Sequence, residues 1–181
     1  MRDQSREDLR KLTHLAFSLG AFATPWLGRT GCIALALLGL AHNVLLLPRY
    51  PFGRKLLRDG ADRGTVGLVT YPLAVALVYL AAPLSIAAAV WVILGFGDAL
   101  SSIAGRRARA RLPWNPSKSW IGSLAFVAAG TLAASAFVSP LVALAGATAG
   151  AGIESLVRRG DDNLAIAAAA TLVMMLFATI A

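Results

Sequence analysis

Charge is what this sequence has least of. Asp, Glu, Lys and Arg make up 14% of its 181 residues, where a soluble domain carries about a quarter. With 57% hydrophobic residues, that deficit excludes an ordinary water-soluble domain and points to a polytopic membrane protein. There is one cysteine, Cys32, so no disulfide framework forms within the chain. The two histidines, His14 and His42, do not make a metal site, and no Ser-His-Asp or Cys-His pairing suggests acyl transfer. A G-x-x-x-x-G-K-[ST] phosphate loop is missing, which argues against a standard nucleotide fold. The apolar runs lack the period-2 alternation of a membrane barrel, which leaves helices. The opening "MRDQSREDLRKLTH" is too long and too mixed in charge for a secretory signal, and no small-residue cleavage site follows.

Seven apolar runs are present, roughly residues 12–27, 31–47, 65–82, 83–100, 119–138, 140–157 and 163–181. Each has about 16 to 20 residues, near the ~20 a helix needs to cross ~30 Å of hydrocarbon. The expected fold is therefore all-α: one domain over residues 1–181, a transmembrane bundle of about seven spans. Sixteen of the 17 Lys and Arg residues fall in four segments. These are the N-terminus, the connections after the second and fourth runs, and the one before the last. With seven spans those segments share a face, which the positive-inside rule makes cytoplasmic, the N-terminus included. All nine acidic residues fall at that face too, whereas the opposite connections, "GRTG", "LAAPLS" and "VSP", carry nothing reactive. A net charge of +8 would suggest nucleic acid in a soluble protein; charges distributed like this indicate a lipid bilayer instead, with no nucleic acid. The small-xxx-small spacing of "GATAG" (residues 146–150) fits helix packing within the bundle.

The charged end holds the chemistry. Asp98, in "GFGDALSSIAGRR", is expected in the last turn of the fourth span, where the helix dipole and partial desolvation both oppose its ionisation. Glu154 repeats the arrangement near the end of the sixth. The partner of Asp98 is either an arginine such as Arg106, in a structural ion pair, or a divalent cation, since Mg²⁺ takes one or two carboxylates and fills its shell with water and phosphate. In "RARARLPWNPSKSWIGS", Pro116 stops any helix, and Ser117 or Ser119 is placed to cap the fifth span. The same helix N-terminus suits an anion; Lys118 adds a positive charge there, and Gly122 permits close approach. Most arginines of this loop suit anionic lipid at the membrane surface. In "GDDNL", Asp161, Asp162 or Asn163 each serves as an N-cap, but two adjacent acids exceed what a cap needs. Carboxylates for Mg²⁺ beside a lysine and a helix N-terminus for phosphate are the parts of phosphoryl transfer.

Three ordered motifs, "GDALSSIAGRR", "KSWIGSLAF" and "IESLVRRGDDNL", resemble those of the CTP-dependent lipid kinases. That family comprises dolichol kinase, phytol kinase, the fungal CTP-dependent diacylglycerol kinase and bacterial diacylglycerol/polyprenol kinase family proteins. "LRKLTH" and "RGTVGLVTYPLAV" are weaker matches upstream, so the resemblance runs through most of the chain. The basic loop lacks the longer glycine-rich insert of some members. The resemblance implies transfer of the γ-phosphoryl of CTP to a membrane lipid alcohol (a polyprenol, a phytol-type prenol or diacylglycerol), giving a lipid monophosphate and CDP. It places Asp98, Lys118, Glu154 and His14 in catalysis, and Asp98, Asp161 and Asp162 on Mg²⁺. Around the nucleotide it places Gly97, Ser102, Gly105, Arg106, Ser117, Ser119, Gly122, Ser123 and Asn163. Glu154 either completes the metal shell or takes the lipid hydroxyl's proton, with His14 as the second base. A phosphatidate cytidylyltransferase would carry a lysine-aspartate and Pro-Gly-His-Gly-Gly signature, missing here. The D-G-x-x-A-R pattern of CDP-alcohol phosphotransferases is missing too. A non-catalytic carrier or scaffold is the third alternative, disfavoured because the charges collect at one face and not at mid-membrane.

Overall fold

A computed structural model describes residues 2–50, 66–158 and 161–180 of the protein. The charged residues of 51–65, with Arg159 and Gly160, lie outside the described residues. Helix α1 (Arg2–Ser18) passes through a tight helical turn, Leu19–Ala23, into α2 (Thr24–Ala41). Gly28 breaks α2 with φ 61° and ψ −172°, a left-handed backbone that glycine adopts without steric cost. The chain doubles back there. A Cβ on Gly39 would lie 3.0 Å from the Phe17 ring, and one on Gly20 would lie 3.3 Å from Leu35 Cδ2, so the limbs on either side of Gly28 pack antiparallel.

The remaining helices are α3 (Val66–Ala81), α4 (Leu84–Val92), α5 (Asp98–Gly105), α6 (Trp120–Ala134), α7 (Pro140–Leu156) and α8 (Asn163–Ala178). A widened π turn, Ile93–Gly97, joins α4 to α5 without interrupting the helical course. The only strands among the described residues are β1 (Arg111–Leu112) and β2 (Asn115–Ser119). They pair antiparallel, with Arg111 opposite Ser119 and Leu112 opposite Asn115. The expected all-α class holds, with this hairpin added where the sequence suggested a loop.

Helix α4 is the axis of the bundle: Ile86 through Leu94 are all buried, packed against α3, α6 and α8. The core is rich in alanine and completed by Trp91, Tyr71, Tyr79 and Phe126. Leucines face outward, Leu132 at 80% exposure and Leu124, Leu172 and Leu38 near 68%. Small residues inside and large aliphatic ones outside reverse the distribution of a water-soluble bundle. Two runs, Leu9–Arg49 and Leu84–Gly105, are long and apolar enough to cross a membrane. The other four, Gly67–Ala81, Trp120–Ala134, Pro140–Leu156 and Asn163–Ala178, come to roughly 22–26 Å at ~1.5 Å per residue. They are shorter than the sequence runs because apolar turn residues flank them. Residues 135–138, for example, continue the hydrophobicity of α6 but turn out of the helix.

The "GATAG" glycines pack inside the bundle, as expected. A Cβ on Gly146 would overlap the Met174 side chain, and one on Gly150 would lie 3.1 Å from Phe126 and 3.2 Å from Ile166. Gly152 has open space at the same point. Gly146→Val should therefore lower the unfolding temperature in detergent, by an overpacking cost of about 1–3 kcal/mol. Gly152→Ala should leave it unchanged or raise it, through a helix-propensity gain of up to ~1 kcal/mol. Equal melting curves for the two variants would contradict this packing.

Candidate active site

Asp98 opens α5 and is only 2% exposed. It does not lie in a last helical turn, as the sequence suggested, because the helix runs on to Gly105. The dipole argument therefore gives way to burial and pairing. A charge so deeply buried needs a partner. That partner is Lys11 of α1, whose Nζ donates to Asp98 Oδ2; the arginine proposed for the role, Arg106, lines the neighbouring cleft instead. Gly95 makes the approach of α1 possible. A Cβ there would overlap the Ser18 side chain and sit 3.1 Å from the His14 carbonyl oxygen. With α1 seated, His14 comes within electrostatic range of Asp98. Its ring stacks on Tyr71 with centroids 4.3 Å apart.

A second ion pair lies nearby. Lys118 reaches from β2 to donate to Glu154 Oε1 on α7, and its Nζ lies 3.8 Å from Asp162 Oδ2 before α8. Burial pulls the Lys118 ammonium down, but Glu154, Asp162 and Asp98 outweigh it and the net shift is upward; Lys118 stays charged. Asp162 is held above its ordinary carboxylate value, first by burial and then by the charge of Asp98, against Lys118 and Lys11. Ser101, one turn after Asp98, lies 3.5 Å from Glu154 Oε1. Its hydroxyl donates to the Asp98 main-chain carbonyl at 3.0 Å.

Ser101, Lys118 and Glu154 form one side of a cleft of about 430 Å³. Its lining includes Ser102, Gly105, Arg106, Ser117, Lys118, Ser119, Gly122, Ser123 and Glu154, all expected from the sequence, together with Ser101 and Arg111, which were not. Ser119 caps α6 by accepting from Gly122 N at 3.1 Å. Gly105 and Gly122 let α5 and α6 touch: a Cβ on either would lie 3.3 Å from the other's Cα. The cleft thus has three cationic side chains, a helix N-terminus and several hydroxyls against one carboxylate, which suits a polyphosphate. Ser123 Oγ is buried there without a hydrogen-bond partner.

The hairpin that carries Lys118 is latched to α7. Asn115 Nδ2 donates to the carbonyls of Ser155 and Val157, both at 3.0 Å, and Arg158 Nε donates to the Trp114 carbonyl at 2.9 Å.

Three expected residues do other work. Gly97 is a packing glycine, where a Cβ would lie 2.8 Å from Phe126. Asp161 accepts from Thr70 Oγ1, from Asn163 N at 3.1 Å and from Asn163 Nδ2 at 3.0 Å. Asn163 is itself buried and spends its amide on Asp161 and Thr70. This cluster fixes the start of α8 to α3 and does not face the cleft. The expected Asp98–Asp161–Asp162 metal set is therefore not assembled. Among the described residues no group of three or more His, Cys, Asp or Glu side chains gathers, because lysines stand between the acids. One or two carboxylates for Mg²⁺ do remain: Asp98 Oδ1 is buried with no hydrogen-bond partner, and Asp162 is incompletely compensated. That donor set fits a cation that takes its other ligands from water and phosphate. Lys11 was hardest to foresee, although its signal is present: it precedes His14 by one helical turn, on the same face.

Comparison with protein-family models, with curated proteins and with solved structures gives no match. The geometry of the site is what bears on function.

Breaking a buried ion pair by removing one partner costs about 3–5 kcal/mol. Glu154→Gln or Lys118→Met should each lower the unfolding temperature, and the double variant should lose less than the two combined. Additive losses would show that the pair is not coupled.

Proposed function

We propose that the protein is a multi-pass membrane enzyme that phosphorylates a lipid alcohol from CTP at the cytoplasmic face. Its products are a lipid monophosphate and CDP. The observation that carries this reading is the position of the cleft. A site for polyphosphate, lined by three cationic side chains and Glu154, opens at the charged end of a bundle whose outer face carries leucines. One substrate is thus water-borne and the other resides in the membrane. With the two limbs around Gly28 taken as separate spans, the chain would cross the bilayer seven times, as the apolar runs suggest, and the positive-inside rule would give the basic segments one face; the shorter helices would match the bilayer by local thinning. The choice of CTP rests on the resemblance of the three motifs to the lipid kinases.

In this reading Lys118, Arg106 and Arg111 hold the phosphates together with the amides at the α6 N-terminus. Asp98, with Asp162, would hold Mg²⁺, which when bound neutralises phosphate charge. The lipid oxygen forms a bond to Pγ as the bond from Pγ to the β-bridging oxygen breaks, and CDP leaves with that electron pair. The hydroxyl proton passes to Glu154 or His14. Arg106 and Lys118 oppose the charge that develops on the leaving phosphate.

The test uses protein in lipid micelles with Mg²⁺ and CTP labelled at the γ-phosphate. Polyprenol, phytol, geranylgeraniol and diacylglycerol are the acceptors, with ATP as competing donor. Label should enter at least one lipid, and Asp98→Asn should lower the rate by about 10²–10³, the cost of losing one preorganised electrostatic group. Release of pyrophosphate from CTP in the presence of phosphatidate, without lipid labelling, would replace this reading with cytidylyl transfer.

A further inference from the structure

A second cavity shares no lining residue with the cleft. It is a groove of about 540 Å³ between α1, the outer limb of α2 and α3. Phe17, Leu35, Leu38 and Leu68 are among its apolar lining, and Thr13, His14, His42, Asn43 and Tyr50 are polar groups in it. Gly39 lines it too, where a Cβ would stand 3.0 Å from the Phe17 ring and narrow the passage. At one rim Leu38 is 68% exposed on the leucine-bearing outer face, whereas His14 at the inner end is 6% exposed. The His14 ring is held by stacking on Tyr71, whose hydroxyl donates to the His14 carbonyl at 3.1 Å. The groove therefore runs from the outer apolar surface to a fixed imidazole beside Asp98, and Ser101, one turn beyond Asp98, faces the cleft.

We propose that this groove is the acceptor site: the hydroxyl of the lipid alcohol sits at His14 and its tail lies along Phe17, Leu35 and Leu38. The inference rests on the kinase reading and adds to it the place where the lipid binds. The groove thus offers apolar walls for a tail and polar side chains for a small polar group. An alcohol on an apolar tail satisfies both. His14 is then the group nearest the acceptor oxygen, within electrostatic range of Asp98.

The test is photo-crosslinking with lipid alcohols that carry a diazirine in the tail, one a prenol and one a diacylglycerol, read by peptide mass spectrometry. Label should appear on α1, α2 and α3 at the groove walls; whichever arm labels, and is competed by its unmodified parent, identifies the tail. Leu35→Trp, which fills the groove, and Leu38→Trp, on its exposed rim where folding is not at risk, should both reduce labelling. Each should raise KM for the lipid about tenfold, with binding of a fluorescent CTP analogue unchanged. His14→Gln should keep the label and lower kcat. Labelling confined to other helices, or phosphate transfer with an unaltered lipid KM in both tryptophan variants, would overturn the proposal. Groove labelling without any phosphate transfer would support the lipid site and overturn the kinase reading instead.

Discussion

A carboxylate buried to 2% exposure between apolar helices must be given a counter-charge, and much of the charged end of this protein follows from that requirement. Isolated charge in such a place costs several kcal/mol. The compensation for Asp98 comes from 87 residues away in sequence, through Lys11. Its delivery depends on steric detail: α1 must lie almost in contact with the π turn before Asp98, and only a residue without a side chain at Gly95 leaves room. Once α1 is there, His14 is positioned by the same approach. One electrostatic need and one missing methyl group thus fix three functional side chains.

The second ion pair extends the same logic. Lys118 answers Glu154 and Asp162, and the fields of Asp98 and Lys118 overlap. Acids and ammonium groups alternate, and no acid is left with an acid neighbour alone. Lys118 in this way holds β2, α7 and the start of α8 together.

What the sequence conveyed about this site follows a physical pattern. Residues close in sequence to a chain break or a helix start were legible. Pro116 and the serines of "SKS" marked the α6 N-terminus, and nine residues expected at the site do line the cleft. Contacts made over long separations were not legible. Nothing local says that Lys11 and not Arg106 meets Asp98, or that Asp161 turns to Thr70 while Asp162 turns to Lys118. Gly97 misled because a glycine next to an aspartate suits a ligand-binding turn as well as it suits a Phe126 contact, and only packing decides. The helical class was clear from composition, but helix lengths were overestimated wherever apolar residues continued past a turn. The π turn at Ile93–Gly97 left no mark that could be told from ordinary helix, which is why Asp98 was assigned to an end and not to the start of α5.

The latch between the hairpin and α7 has a mechanical consequence. Asn115 grips the carbonyls of Ser155 and Val157 at the end of α7, so the end of that helix and the hairpin that carries Lys118 are parts of one stiff unit. The cleft therefore cannot widen by swinging Lys118 away from the acids. The opposite bank is tied to the same hairpin, since Arg111 donates to the Arg106 carbonyl at 3.2 Å and Trp120 N to the Ala110 carbonyl at 3.3 Å. The spacing of charges around the cleft is therefore set by backbone that is braced on both banks.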